Sequence, residues 1–171
     1  WIGTMEGGIN RLSPDGSSVS VFRQDNADPG SLPVQGAMKL YEDAAGEIWI
    51  GTFGNGITRF DPRTGNHRQF LPDEQDPTSL CGAQGRAFAE DLSGRLWVGP
   101  ENGLCRFDAE TESFTQSRNE AGNNKTLSDN SIYAIHVDPR GTLWIGTGGG
   151  GLNRVDLVSD QPEQIQFETI S

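Results

Sequence analysis

The sequence predicts an all-β chain, a β-propeller fragment of four-stranded antiparallel blades, about 3.75 of them in 171 residues. Three observations carry that reading. One tetrapeptide is written four times, as Trp1-Ile2-Gly3-Thr4, Trp49-Ile50-Gly51-Thr52, Trp97-Val98-Gly99-Pro100 and Trp144-Ile145-Gly146-Thr147. The tryptophans stand 48, 48 and 47 residues apart, and a fixed period of a few tens of residues marks solenoids, propellers or arrays. Around each copy lie short runs of strand formers between turn signals, and each run is too short for a helix. Finally, alternation along Trp49–Thr52 sends Trp49 and Gly51 to one side and Ile50 and Thr52 to the other. Both sides carry apolar bulk, so each sheet must be covered on both by like units, which radial stacking achieves.

The elements follow in order. In the second repeat, residues 37–42 form a first run that ends in the turn Asp43-Ala44-Ala45-Gly46, and residues 47–52 form the second. Gly54 and Gly56 permit positive φ in a tight connection to 57–61; Asp61-Pro62-Arg63-Thr64-Gly65 turns the chain into 67–71. The same plan gives strands at 86–91, 95–99, 103–108 and 112–116, then at 132–137, 142–147, 151–156 and 164–169. Residues 1–23 supply three strands of a blade that lacks its innermost one. The blades thus span 1–23, 37–71, 86–116 and 132–169 of a single propeller segment, 1–171. Each Trp buries roughly 150–250 Å², worth about 4–6 kcal/mol as an upper figure. The glycine two residues after each Trp is expected to let a neighbouring sheet approach closely. Such a count reads as an open arc, or as a ring completed by two or more chains.

Composition narrows the partners. A net charge of −11, from 24 acidic and 13 basic residues, repels nucleic acid and anionic lipid. The apolar fraction of 33% and the 23 glycines suit short strands and many turns. No apolar run is long enough to span a bilayer, and no signal peptide is visible. The chain opens inside a repeat, at Trp1, which reads as a piece of a longer protein. Cys81 falls in a connecting loop and Cys105 in a third strand. First and third strands lie roughly 10 Å apart, beyond the ~7 Å of a disulfide. A loop folding over could close that gap, but two free thiols is the reading favoured here.

These repeats resemble the two-component regulator propeller repeat. The shared pattern is an Asp-x-x-Gly turn, Leu/Ile-Trp-Ile-Gly-Thr, a Gly-rich hairpin, Gly-Leu-x-Arg-Phe-Asp, and the linkers Asp28-Pro29-Gly30-Ser31-Leu32 and Asp76-Pro77-Thr78-Ser79-Leu80. The resemblance covers essentially the whole chain. It implies a periplasmic sensor, the extracytoplasmic part of a membrane receptor with a histidine kinase or diguanylate cyclase output, many of which respond to carbohydrate fragments. Neither output domain is in this sequence, so the segment itself is expected to be non-catalytic. Streptogramin lyases are similar propellers with a metal-assisted His/Glu site, which makes an enzyme the rival; a purely structural interaction ring is a third reading.

Several motifs resolve into structural roles. Gly146–Gly151 matches G-x-G-x-x-G, yet the helix that a dinucleotide site requires is replaced by strand formers, so a hairpin is expected. Asp43, Asp91 and Asp138 sit one per turn and do not converge as calcium ligands would; Asx turns are their expected work. Arg11, Arg59, Arg106 and Arg154 are expected to reach acidic groups or carbonyls on adjoining strands. His67 and His136 fall in different blades, no metal or other cofactor is expected, and the sequon Asn124-Lys125-Thr126 is idle in a bacterial protein.

Topology places any ligand on the face where the second-to-third-strand hairpins and the inter-blade connectors open. The candidates are Phe53, Asn55, Glu101 and Asn102 in hairpins, and Gln35, Gln84, Arg86, Asn130 and Tyr133 at the entries to innermost strands. Aromatic and amide groups around a hollow suit a carbohydrate or another small molecule.

Overall fold

In a computed structural model, which describes residues 1–157 and 165–170, the chain folds into two compact units, each holding two antiparallel sheets. Trp1–Leu71 with Ala83–Gly85 forms the first unit, and Pro72–Gly82 with Arg86–Ser171 the second. The first unit carries a three-stranded sheet of β1 (Ile2–Gly3), β2 (Ile9–Leu12) and β3 (Val19–Phe22). Its four-stranded companion comprises β4 (Ala37–Glu42), β5 (Ile48–Thr52), β6 (Ile57–Phe60) and β7 (His67–Phe70). The second unit holds β8 (Ala87–Glu90), β9 (Leu96–Gly99), β10 (Leu104–Asp108) and β11 (Ser113–Ser117). Beside them lie β12 (Ile132–Val137), β13 (Thr142–Thr147), β14 (Leu152–Asp156) and β15 (Glu168–Ile170). Strand order in every sheet is the order of the chain, a meander. Among the described residues there is no helix. Residue 164, expected to open the last strand, lies outside them.

Each unit has its own core. Ile9, Leu32, Val34, Ala37, Ile48, Ile50 and Phe60 fill the first, with Trp1 and Phe22 packed against them. In the second, Trp97, Leu104, Leu127, Ile132, Leu143, Ile145 and Val155 do the same work. The glycine after each Trp explains how close the sheets come. A Cβ on Gly3 would stand 2.9 Å from that of Ala37, one on Gly51 would overlap the Gly85 carbonyl, and one on Gly99 would overlap Ile132.

Tryptophan orientation comes from the turn that precedes it. The Asp43 carboxylate accepts the backbone N–H groups of Ala45 (3.0 Å) and Glu47 (2.9 Å) and the indole N–H of Trp49 (2.8 Å). Asp91 treats Ser93, Arg95 and Trp97 alike, and Asp138 treats Arg140, Thr142 and Trp144 alike. In the second and third sheets the Arg opposite the Trp on the third strand then covers it. Arg59 lies 5.9 Å from the Trp49 ring and Arg106 lies 6.0 Å from that of Trp97. Stacking on tryptophan therefore joins the acidic contacts expected of these arginines. Arg59 also reaches Glu47 at 3.6 Å, and Arg154 reaches Asp156 at 3.0 Å.

The two cysteines correct the expectation of free thiols: Cys81 and Cys105 form a disulfide, with Cα atoms 6.1 Å apart. The spacing of first and third strands does not apply, because the connector does not stay with the first strand. It runs beside β11, where Phe114 N–H donates to the Thr78 carbonyl at 2.7 Å, and then crosses onto β10. A homologous tie exists in the fourth sheet, where the backbone N–H of Ser128 donates to Asn153 Oδ1 at 3.0 Å and Asn153 Nδ2 to Ser128 Oγ at 2.7 Å. Both Cys81 and Ser128 follow a buried leucine, Leu80 or Leu127. In the second sheet the corresponding residue, after Leu32, is Pro33, which has no N–H to give. Thr58, which stands in the place of Cys105 and Asn153, is fully buried, and its hydroxyl has no hydrogen-bond partner.

Three outcomes follow from these contacts. Gly99→Val should cost about 1–3 kcal/mol by overpacking, whereas Gly146→Val, where a Cβ clears its nearest neighbour by 3.5 Å, should stay within about 0.5 kcal/mol in denaturant titrations. Thr58→Val should stabilise the fold by about 1 kcal/mol, since it removes a buried hydroxyl that nothing satisfies. Burial raises the Asp91 pKa, but the hydrogen bonds from Trp97, Arg95 and Ser93 outweigh it and leave the carboxyl below its ordinary 3.8. A depressed folded-state pKa contributes stability that is present above about pH 4 and lost as pH falls through the folded value. Unfolding midpoints should therefore drop below about pH 4, and Asp91→Asn should flatten that fall.

Candidate functional site

The loops on the hairpin face are set by one hydroxyl each. Thr4, Thr52 and Thr147 close the second-to-third-strand connection by donating to the carbonyls of Gly8, Gly56 and Gly151, at 3.0, 2.9 and 2.9 Å. The same oxygens accept backbone N–H groups from Gly7, Asn55 and Gly150. In the third sheet Pro100 replaces the threonine, and there the hairpin is one residue shorter. Gly146–Gly151 is such a hairpin, joining β13 to β14.

The inter-blade connectors are closed by their own polar groups. Asp25 N–H donates to Ser31 Oγ at 2.8 Å, while Ala27 and Gly30 donate to the carboxylates of Asp25 and Asp28. Asp73, Asp76 and Ser79 repeat this scheme, and Glu120, Asn123 and Thr126 vary it. The hydroxyl and backbone N–H of Thr78 hold the Asp76 carboxyl below its ordinary value. Lys125 and Thr126 of the sequon belong to this third loop.

In the first unit these loops enclose a groove. Met5, Gln24, Gln35, Thr52, Phe53 and Asn55 line a hollow of about 370 Å³. A second hollow of about 640 Å³ shares Met5, Gln24 and Gln35 and adds Arg23, Asp25 and Asn26. Met5 is 74% exposed and Phe53 47%, so both offer apolar surface to solvent. Asn55 donates its amide to the Pro33 carbonyl at 3.3 Å, and Gln69 donates to the Asn55 carbonyl at 3.0 Å, which steadies the hairpin. Gln84 pairs with Phe53 through the backbone. Of the residues predicted from sequence, this unit thus brings together Gln35, Phe53, Asn55 and Gln84. Gln24 and Asn26 were missed, because the segment after β3 reads as connector only; its hollow-facing amides carry no repeated signature.

In the second unit Arg86 lies 4.9 Å from the Tyr133 ring and donates to Ser131 Oγ at 2.9 Å. Tyr133 is 62% exposed. Glu101 reaches over Gly82, where a Cβ would come within 2.8 Å of its Oε2, and Asn102 is exposed. Asn130 has backbone work: its carbonyl accepts Gly103 N–H and its Oδ1 accepts Asn119 N–H, both at 2.7 Å. His67 lies on β7 and His136 on β12, and among the described residues no group of three His, Cys, Asp or Glu could hold a metal ion.

With this geometry in hand, the relatives can be placed. The family model for the two component regulator propeller matches residues 31–54 and 126–149, each running from a connector through the Trp-bearing strand or its loop. Those two stretches resemble the two-component regulator propeller repeat. Among solved structures, the chain is similar to the extracellular domain of a protein assigned as a hybrid two component system of B. thetaiotaomicron. The TM-score is 0.69 at 25% identity, over 89% of this chain and 19% of that one. A second such extracellular domain from B. thetaiotaomicron gives a TM-score of 0.79 at 20% identity, over 98% of this chain and 22% of that one. Virginiamycin B lyase from Staphylococcus aureus shares the fold, with a TM-score of 0.63 at 17% identity over 98% of this chain and 54% of that one. The chain therefore spans about a fifth of the length of the two-component structures it matches. No curated protein matches the sequence.

Proposed function

We propose that this chain is a non-catalytic sensing module, part of the periplasmic region of a bacterial two-component receptor, and that it takes a carbohydrate or similar small polar ligand. The observation that carries this reading is the groove of the first unit, where amides from Gln24, Gln35 and Asn26 stand beside the exposed Phe53 and Met5. Amide groups exchange hydrogen bonds with hydroxyls in both directions, and an apolar side chain supports the face of a sugar ring. Two further facts support the compartment. The repeats are similar to an extracellular domain of a two-component protein, and the Cys81–Cys105 disulfide suits an oxidising environment. The lyase likeness is one of fold, and His67 and His136 lie on separate sheets.

Calorimetric titration with a panel of oligosaccharides tests the reading. Gln35→Ala should weaken binding by about 0.5–1.5 kcal/mol, and Phe53→Ala by a similar amount, without a change in melting temperature. Phe53 and Gln35 variants that bind every responding sugar as the parent does would remove the groove from the proposal.

A further inference from the structure

In the second unit one position departs from the repeat. Phe22, Phe70 and Ile170 stand opposite Ile9, Ile57 and Leu152, at the end of the last strand of their own sheets. Both phenyl rings pack on a tryptophan, Phe22 on Trp1 at 5.6 Å and Phe70 on Trp49 at 5.8 Å. The third sheet has Ser117 at this place, opposite Leu104. Where its fellows put an apolar side chain, this sheet borders a hollow of about 570 Å³. Arg106, Thr115 and Ser117 line it from β10 and β11, and Arg118, Glu120 and Thr126 from the connector that follows. Ile165 and Phe167 close it from the fourth sheet, where Phe167 N–H donates to the Lys125 carbonyl at 2.9 Å.

We propose that this hollow is a second binding site, for a small hydroxylated carboxylate of the size of one sugar acid. Two guanidinium groups line it against one carboxylate, that of Glu120, which accepts Asn123 Nδ2 at 2.9 Å inside its own loop. Positive charge thus prevails locally in a chain whose net charge is −11. Arg106 lies 6.0 Å from the Trp97 ring and donates to Thr115 Oγ1 at 3.4 Å. Those contacts hold its planar fork in one place, as recognition of a carboxylate requires. Gly103 leaves room for the stem of Arg118, whose Cγ would stand 3.0 Å from a Cβ there. The Ser117 hydroxyl donates and accepts, so it matches a ligand hydroxyl in either sense, and Ile165 gives apolar support. The volume falls within the roughly 300–1,000 Å³ of small-molecule sites.

Calorimetric titration of the chain with D-glucuronate, D-glucose and inorganic phosphate tests the site. D-glucuronate should bind the parent, and D-glucose should bind roughly tenfold more weakly or not at all. Ser117→Phe restores the ring that two other sheets carry, so it should melt no lower than the parent while glucuronate binding is lost. Arg118→Gln, at an exposed position, should melt as the parent does and weaken glucuronate roughly tenfold. If Ser117→Phe melts lower, Arg118→Gln decides alone. Gln35→Ala, in the groove of the first unit, should leave glucuronate binding unchanged. A parent that does not bind glucuronate, or that binds glucose equally well, overturns the proposal. So does an Arg118→Gln variant that binds as the parent does, or binding that Gln35→Ala removes, which would belong to the groove. Phosphate that displaces glucuronate at equal concentration would show a site reading charge alone, and overturns the hydroxylated carboxylate as its ligand.

Discussion

The bond from the tryptophan indole to the turn aspartate organises each four-stranded sheet. One carboxylate accepts two backbone N–H groups and so closes the turn between the first two strands; its remaining acceptor capacity then takes the indole N–H six residues on. That fixes the ring across the second strand, where in the second and third sheets the arginine of the third strand lies over it. Three strands are thereby keyed together by three side chains, and the indole polar atom, which would be costly to bury alone, is satisfied. The Trp1 ring packs with Phe22 at 5.6 Å and Phe60 at 6.1 Å, under Arg11.

A period shows which residues recur, but not which of them touch. The strands were legible because alternation and turn chemistry are local. The Asx role of Asp43, Asp91 and Asp138 was legible for the same reason. Their bond to Trp was not, because it depends on where a side chain six residues away is sent by its strand. Stacking of Arg59 on Trp49 was within reach, since hairpin register places residues ten apart directly opposite, yet the arginines were read by charge alone. The disulfide was missed for a deeper reason. Strand spacing governs residues in strands, and Cys81 sits in a connector whose path is set by Leu80 being buried and by Phe114 and Gln116 binding Thr78 and Ser79. Aligning the repeats by the residue after that leucine would have paired Cys81 with Cys105, as Ser128 pairs with Asn153.

The connectors also explain why a strongly acidic chain presents an amide-rich groove. Asp25, Asp28, Asp73 and Asp76 accept hydrogen bonds from residues two places on in their own loops. Their lone pairs are used in shaping the backbone, which fits neither a converging cation site nor a reactive acid. Gln24, Gln35 and Phe53 are outside these closed cycles. The groove was partly legible on that account: its hairpin members and Gln35, at the entry to an innermost strand, could be picked out, whereas Gln24 and Asn26 of the connector could not.

Internal closure of every sheet limits how a ligand could act. The groove is walled on one side by Met5 of the first sheet's hairpin and on the other by Phe53 and Asn55 of the second's, with Gln24 and Gln35 of the connector between them. Turns, hairpins and connectors on both sides are already held by their own hydrogen bonds, so occupancy has little to reorder inside a sheet. What it can change is the seating of one sheet on the next, where Gly3 meets Ala37. Packed faces of this kind tolerate few intermediate positions, because a shift of a few tenths of an ångström loses contact along the whole face. Binding energy spent on bridging two sheets would therefore favour one seating over another, the form of response that the proposed sensing module would pass on.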